Sequence, residues 1–204
     1  GRADLILAIG HDTVEKPPFL MTSNLGPKIV HIGYQSATVE QVYQPSLEVL
    51  GDIGASVEGL AQRLENRLTP DEGMLELGRK TLARINDRAE EDRFPVTPQR
   101  LVHDVRQVMP KDGVVCLDNG MYKIWFARNY RTHVANTLLL DNALATMGAG
   151  LPSAMMAAMI YPNRRVMAVC GDGGFMMNSQ EMETAVRLGL NLVVVILNDS
   201  AYGM

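Results

Sequence analysis

The stretch from Arg165 to Met204, RVMAVCGDGGFMMNSQEMETAVRLGLNLVVVILNDSAYGM, decides how the chain folds. Two apolar runs, Val166–Cys170 and Leu192–Leu197, bracket a glycine-acid turn at Gly171-Asp172-Gly173-Gly174 and a helical segment from Asn178 to Leu188. Neither run alternates polar with apolar residues. That is the pattern of strands covered on both faces, and such strands belong to parallel sheets flanked by helices. The connection of about twenty residues holds one helix and two loops, as a parallel crossover requires. Asn178 is placed as N-cap, with Glu181 three positions on completing a capping-box pattern. Met182, Ala185 and Val186 then share a face, and Gly189 ends the helix. Parallel strands point the same way, so the residues just past their carboxyl ends meet at one edge of the sheet. Asp172 and Asp199 are therefore expected close in space although 27 positions apart.

That juxtaposition suits a magnesium diphosphate. Mg²⁺ takes roughly octahedral oxygen ligands, usually one or two of them carboxylates, and fills its shell with phosphate, carbonyl and water oxygens. Glycines at 171, 173 and 174 let backbone N–H groups approach phosphate oxygens that a Cβ would hold off. A lone Gly-Asp-Gly is more often only a tight strand-to-helix turn. Here the spacing argues otherwise. Gly171-Asp172-Gly173, followed by Asn198-Asp199 directly after the next apolar strand, resembles the thiamine-diphosphate signature, which runs from GDG to a paired Asn-Asn or Asn-Asp. The residues around it resemble the acetolactate synthase family, especially its catabolic type.

The resemblance implies a thiamine-diphosphate (PP-type) domain that binds thiamine diphosphate and Mg²⁺. It makes Asp172 and Asp199 side-chain metal ligands and Ala201 a main-chain carbonyl ligand. Many relatives carry Asn where Asp199 stands, and the extra carboxylate beside an anionic diphosphate should increase dependence on the metal. Asp118-Asn119-Gly120 follows another apolar strand, Val114–Leu117, and opens a helix from Met121 to Tyr130, an arrangement that can turn N–H groups toward an anion. By resemblance this is the second diphosphate-contacting loop, with Gly120, Met121 and Tyr122 at the matching position. Lys123 is not assigned to it. A short strand at Thr137–Leu140 leads to ATMGAGLPSA and an apolar helix from Ser153 to Ile160. Gly148-x-Gly150 lacks the third glycine of a dinucleotide fingerprint. In the resembled family this segment lies under the coenzyme: Met147 props it in its bent form and the Ala145 carbonyl accepts from its 4′-amino group.

Residues 1–68 read as an α/β unit, with strands at Leu5–Ile9, Lys28–Ile32 and Leu47–Leu50, a helical turn at Thr38–Tyr43 and a helix at Ser56–Leu68. Val57, Leu60, Leu64 and Leu68 fall on one face of that helix. DLILAIGHDTVEKPP and KIVHIG resemble the later half of the central, Rossmann-like domain of acetolactate synthases. That domain binds FAD in the anabolic branch, but these residues supply no dinucleotide fingerprint and FAD is not supported. His11 and His31 read as loop and strand-end residues. Residues 69–95, charged with sparse apolar positions, read as a solvated linker helix. Thr97-Pro98 then starts a helix with the stripe Leu101, Val105 and Val108, opening the cofactor-binding domain at 96–204.

Composition is ordinary for a globular chain: 204 residues, 47% hydrophobic, 21% charged, net charge −4. No basic cluster points to nucleic acid or a membrane surface. Cys116 and Cys170 sit in apolar runs as buried thiols, which fits a cytoplasmic protein. The abrupt start and stop suggest a piece truncated at both ends. The implied activity is decarboxylation of a 2-oxo acid, pyruvate, with carboligation to acetolactate; a pyruvate oxidase, another 2-oxo-acid decarboxylase or a noncatalytic relative remains open. In the resembled family the activating glutamate lies on a pyrimidine-binding domain that precedes these residues, from a second subunit of a homodimer or homotetramer. No catalytic residue is therefore assigned, and the isolated chain is expected to be inactive.

Overall fold

A computed structural model describes residues 3–11, 28–37, 44–69, 71–142 and 144–202. The chain divides into two compact units, Gly1–Glu72 and Gly73–Met204.

In the first unit, β1 (Leu5–Ile9), β2 (Lys28–Gly33) and β3 (Leu47–Leu50) pair in parallel in the order β1-β2-β3, and α1 (Ile53–Leu64) follows. The apolar text of all three strands predicts burial, yet only β2 is well covered, through Ile29, His31 and Ile32. Leu5, Leu7, Ile9, Leu47 and Leu50 are exposed, because β1 and β3 flank β2 as the edges of the described sheet. α1 begins three residues before Ser56, since Asp52 caps it: its Oδ1 accepts from the Ala55 N–H at 2.7 Å. The helix ends at Leu64, which leaves Leu68 outside it and exposed. The helical turn expected at Thr38–Tyr43 lies outside the described residues. His31 is a buried strand residue whose Nε2 lies 3.0 Å from the Gln35 carbonyl.

The second unit opens with α2 (Glu72–Ile85), a helix with no buried residue. α3 (Pro98–Val108) starts where Thr97-Pro98 places it: the Thr97 Oγ1 accepts from the Arg100 N–H at 3.2 Å. Its buried stripe is Val102 and Val105, whereas Val108, expected there, is exposed. Then follow β4 (Val114–Leu117), α4 (Met121–Asn129), β5 (Leu138–Leu140), α5 (Gly150–Ile160), β6 (Val166–Gly171), α6 (Asp172–Asn178), α7 (Glu181–Arg187) and β7 (Leu192–Leu197). The strands are parallel, in the order β5-β4-β6-β7. The chain steps from β4 to β5 and then returns past β4 to β6, so the winding reverses between β4 and β6. In open parallel sheets a ligand crevice forms at such a reversal, outside the carboxyl ends of the strands.

Both inner strands are buried on both faces, which is why their sequences run apolar without alternation. Val115, Leu117, Met167 and Val169 pack with Val102, Val105 and Phe126 from α3 and α4. Val114, Cys116, Val166, Ala168 and Cys170 pack with Ala154, Ala157 and Ala158 from α5. β7 is the edge of the described sheet, and its Val193 and Ile196 are exposed rather than buried.

The β6–β7 crossover holds two short helices where the sequence suggests one. α6 starts directly at Asp172 and ends at Asn178, so Asn178 does not cap a helix; α7 begins after Gln180 with no side-chain cap. Gly189 does end α7, at φ 62°, with the Leu190 N–H donating to Ala185 at 2.9 Å and the Gly189 N–H to Val186 at 3.0 Å. Met182 and Val186 of the expected apolar face are exposed, and Ala185 alone of that face is buried.

Burial pushes the thiols of Cys116 and Cys170 up to about 12. At pH 8 roughly one thiol in ten thousand is then ionised, and the thiolate is the reactive form. Both cysteines are expected to resist iodoacetamide in the native protein and to react in denaturant, as mass spectrometry of the alkylated chain would report. Among the described residues no helix is long and apolar enough to cross a membrane.

Candidate functional site

The carboxyl ends of β4, β5, β6 and β7 lie at one edge of the parallel sheet. Gly120, Met121 and Tyr122 follow β4; Ala145 and Met147 follow β5; Gly171, Asp172, Gly173 and Gly174 end β6 and open α6; Asp199 and Ala201 follow β7. The β6–β7 register pairs Gly171 with Leu197, so Asp172 and Asp199 leave neighbouring strands one and two residues past a paired position. Such strands stand about 4.8 Å apart.

Several contacts tie these loops together. The Gly171 N–H donates to the Tyr122 hydroxyl at 3.0 Å, linking the loop after β4 to the end of β6. Burial raises the Tyr122 phenol, so it stays protonated. A Cβ at Gly120 would press on the Tyr122 ring, 2.6 Å away, which its hydroxyl's bond to Gly171 holds in place, whereas one at Gly173 would meet only the exposed Tyr202 ring, which is free to turn aside. Lys123, at the start of α4, donates through Nζ to the Asp141 carbonyl at 2.9 Å. The Asp141 carboxylate accepts from the N–H groups of Leu144 and Thr146 at 3.3 and 3.2 Å, which shapes the turn that holds Ala145 at φ 49°. A left-handed alanine is uncommon and persists where its surroundings hold it.

Asp118 is a site residue that the sequence motifs do not single out. It is 1% exposed at the end of β4. Its Oδ1 accepts from the N–H groups of Asn119 at 2.8 Å, Gly148 at 2.7 Å and Ala149 at 3.2 Å. Burial raises its carboxyl above the usual range, opposed by the N–H groups of Asn119, Gly148, Ala149 and Gly150. Asn178, expected as a cap, instead donates through Nδ2 to the Gly148 carbonyl at 2.7 Å. The signal that could have found Asp118 is positional: β4 and β6, the two inner strands, each end in an acid near a glycine, and Asp118 stands after β4 much as Asp172 stands after β6.

The donor set fits a magnesium diphosphate. Asp172 and Asp199 are hard oxygen donors, and no ion pair neutralises either among the described residues. Asp199 is exposed, and its Oδ1 accepts from the Ala201 N–H at 3.2 Å. α4 and α6 both begin after glycines, Gly120 and Gly171, that make no side-chain cap. Among the described residues no cluster of three or more His, Cys, Asp or Glu is arranged to hold a metal. A hollow of about 480 Å³ opens beside the ends of β4 and β5, lined by Leu117, Leu140, Asp141 and Ala149 among others. A larger one of about 800 Å³ lies by Asn86–Glu91 and the far end of α4, away from this edge.

Residues 118–204 match the family described as Thiamine pyrophosphate enzyme, C-terminal TPP binding domain. Over its whole length the chain is similar to acetolactate synthases. It is 38% identical to the catabolic acetolactate synthase of Raoultella terrigena and 32% identical to the acetolactate synthase of Bacillus subtilis (strain 168), with 100% of the chain aligned to each. It is 26% identical to the acetolactate synthase large subunit of Lactococcus lactis subsp. lactis (strain IL1403) over 99% of the chain. The chain spans 37%, 36% and 35% of the length of these three relatives.

Proposed function

We propose that this chain supplies the magnesium-diphosphate anchor of an enzyme that decarboxylates pyruvate and joins the product to a second pyruvate, giving acetolactate. The observation that carries this reading is the convergence of Asp172 and Asp199 on one sheet edge, beside two glycine-started helices at the winding reversal. Asp172, Asp199 and the Ala201 carbonyl hold Mg²⁺, while Gly171, Gly173, Gly174, Gly120, Met121 and Tyr122 border the diphosphate. Met147 and the Ala145 carbonyl orient the ring system. When bound, thiamine diphosphate supplies the electron sink for loss of CO₂. We read residues 1–68 as part of a central domain, 69–95 as a linker and 96–204 as the cofactor domain.

The loops at this edge, residues 118–120, 141–149, 171–174 and 198–202, contain no glutamate. A glutamate that activates the coenzyme must therefore come from outside them, and we assign it to a pyrimidine-binding domain of a second subunit. The test is acetolactate formation from pyruvate by the isolated 204-residue chain with Mg²⁺ and thiamine diphosphate. No turnover is expected. Robust product formation would overturn the assignment of the activating group to another domain.

A further inference from the structure

The geometry points to Asp118 and Asn178 as a pair of positioning residues that clamp the Gly148 peptide from both sides and so hold Met147 under the coenzyme. The inference rests on the proposed thiamine diphosphate reading and extends it to residues that touch neither metal nor diphosphate in that reading.

Gly148 sits at φ 85°, a conformation that favours glycine. Its N–H donates to the Asp118 Oδ1 at 2.7 Å, and its carbonyl accepts from the Asn178 Nδ2 at 2.7 Å. One partner comes from the end of β4 and the other from the end of α6, so the residue after Met147 is fixed by the same two segments that border the proposed diphosphate site. Asp118 also accepts from the next residue, Ala149, at 3.2 Å. Its other oxygen, Oδ2, has no hydrogen-bond partner among the described residues and lies against Gly174, where a Cβ would overlap it. A carboxylate with one oxygen shared by three N–H groups and the other pressed on the Gly-Asp-Gly-Gly turn spaces the prop against the anchor. Hydrogen bonds to a charged group are stronger than neutral ones. Asparagine at 118 keeps the shape but weakens the hold on Gly148.

The experiment measures thiamine diphosphate affinity by calorimetry at saturating Mg²⁺ in the protein that carries this sequence, for Asp118→Asn, Asn178→Ala and the double variant, with Asp172→Ala alongside. Each single variant is expected to lose on the order of tenfold in coenzyme affinity, about 1.4 kcal/mol. The double variant should lose little more than either single one, because both residues hold the same residue in place. The midpoint of Mg²⁺ dependence should not move, which separates positioning from metal binding. Gly148→Ala gives a second route if Asp118→Asn does not fold: its Cβ would meet the Asn178 Nδ2 at 2.8 Å, and it should lose affinity to a similar degree. Unchanged affinity in folded variants, or losses that multiply in the double variant, would overturn the clamp. Unchanged affinity in Asp172→Ala as well would instead overturn the anchor reading beneath it.

Discussion

Asp172→Ala is expected to abolish magnesium-dependent thiamine diphosphate binding, a loss of at least about a hundredfold in affinity, or about 2.7 kcal/mol. Mg²⁺ takes few protein carboxylates, so in the proposed site removal of one of two would leave the ion with Asp199 and a carbonyl. The remaining carboxylate would then face an anionic diphosphate with less cation between them, and repulsion adds to the lost ligand. Calorimetric titration of coenzyme with and without Mg²⁺ measures this directly. Asp199→Asn provides the contrast: it keeps an oxygen donor and removes a charge, so binding should persist and depend less steeply on the metal. Unchanged affinity in Asp172→Ala would remove the site assignment.

The parallel sheet was legible because its inner strands carry the constraint of two covered faces. Val114–Leu117 and Val166–Cys170 could not be apolar throughout and sit half in water, and both are buried in the structure. Thr97-Pro98 and Gly189 were legible for a local reason, since each satisfies or ends a helix through its own backbone geometry. Edge strands misled for the converse reason: Leu192–Leu197 has the same apolar text as β6 but only one strand neighbour in the described sheet. Asn178 misled because its side chain had two possible uses. A capping box is a sequence-local pattern, whereas the Gly148 carbonyl is 30 positions away and comes within reach only when β5, α5 and β6 are in place. Asp118 was hidden in the same way. Its partners at Gly148 and Ala149 are distant in sequence, so the local text Asp-Asn-Gly read as a turn.

Gly150→Ala is expected to destabilise the second unit by about 1–3 kcal/mol, the usual cost of overpacking a filled core. The glycine is buried at the first position of α5. A Cβ there would stand 2.8 Å from the Asp118 Cβ, 2.9 Å from the Asp118 backbone N and 2.9 Å from the Cys170 Sγ. None of these can step aside cheaply. The Asp118 N–H is fixed in a 2.9 Å hydrogen bond to the Val169 carbonyl, and Cys170 is fully buried in β6. Alanine's better helix propensity, up to about 1 kcal/mol over glycine, acts in the opposite direction and is weakest at a helix start. Gly78→Ala isolates that opposing effect, because Gly78 lies within α2 and a Cβ there meets nothing within 4 Å. Thermal melts should therefore shift in opposite directions, down by several degrees for Gly150→Ala and up by a smaller amount for Gly78→Ala. A shift of the same sign and size in both would show that the contact between α5 and the end of β4 is looser than these distances require.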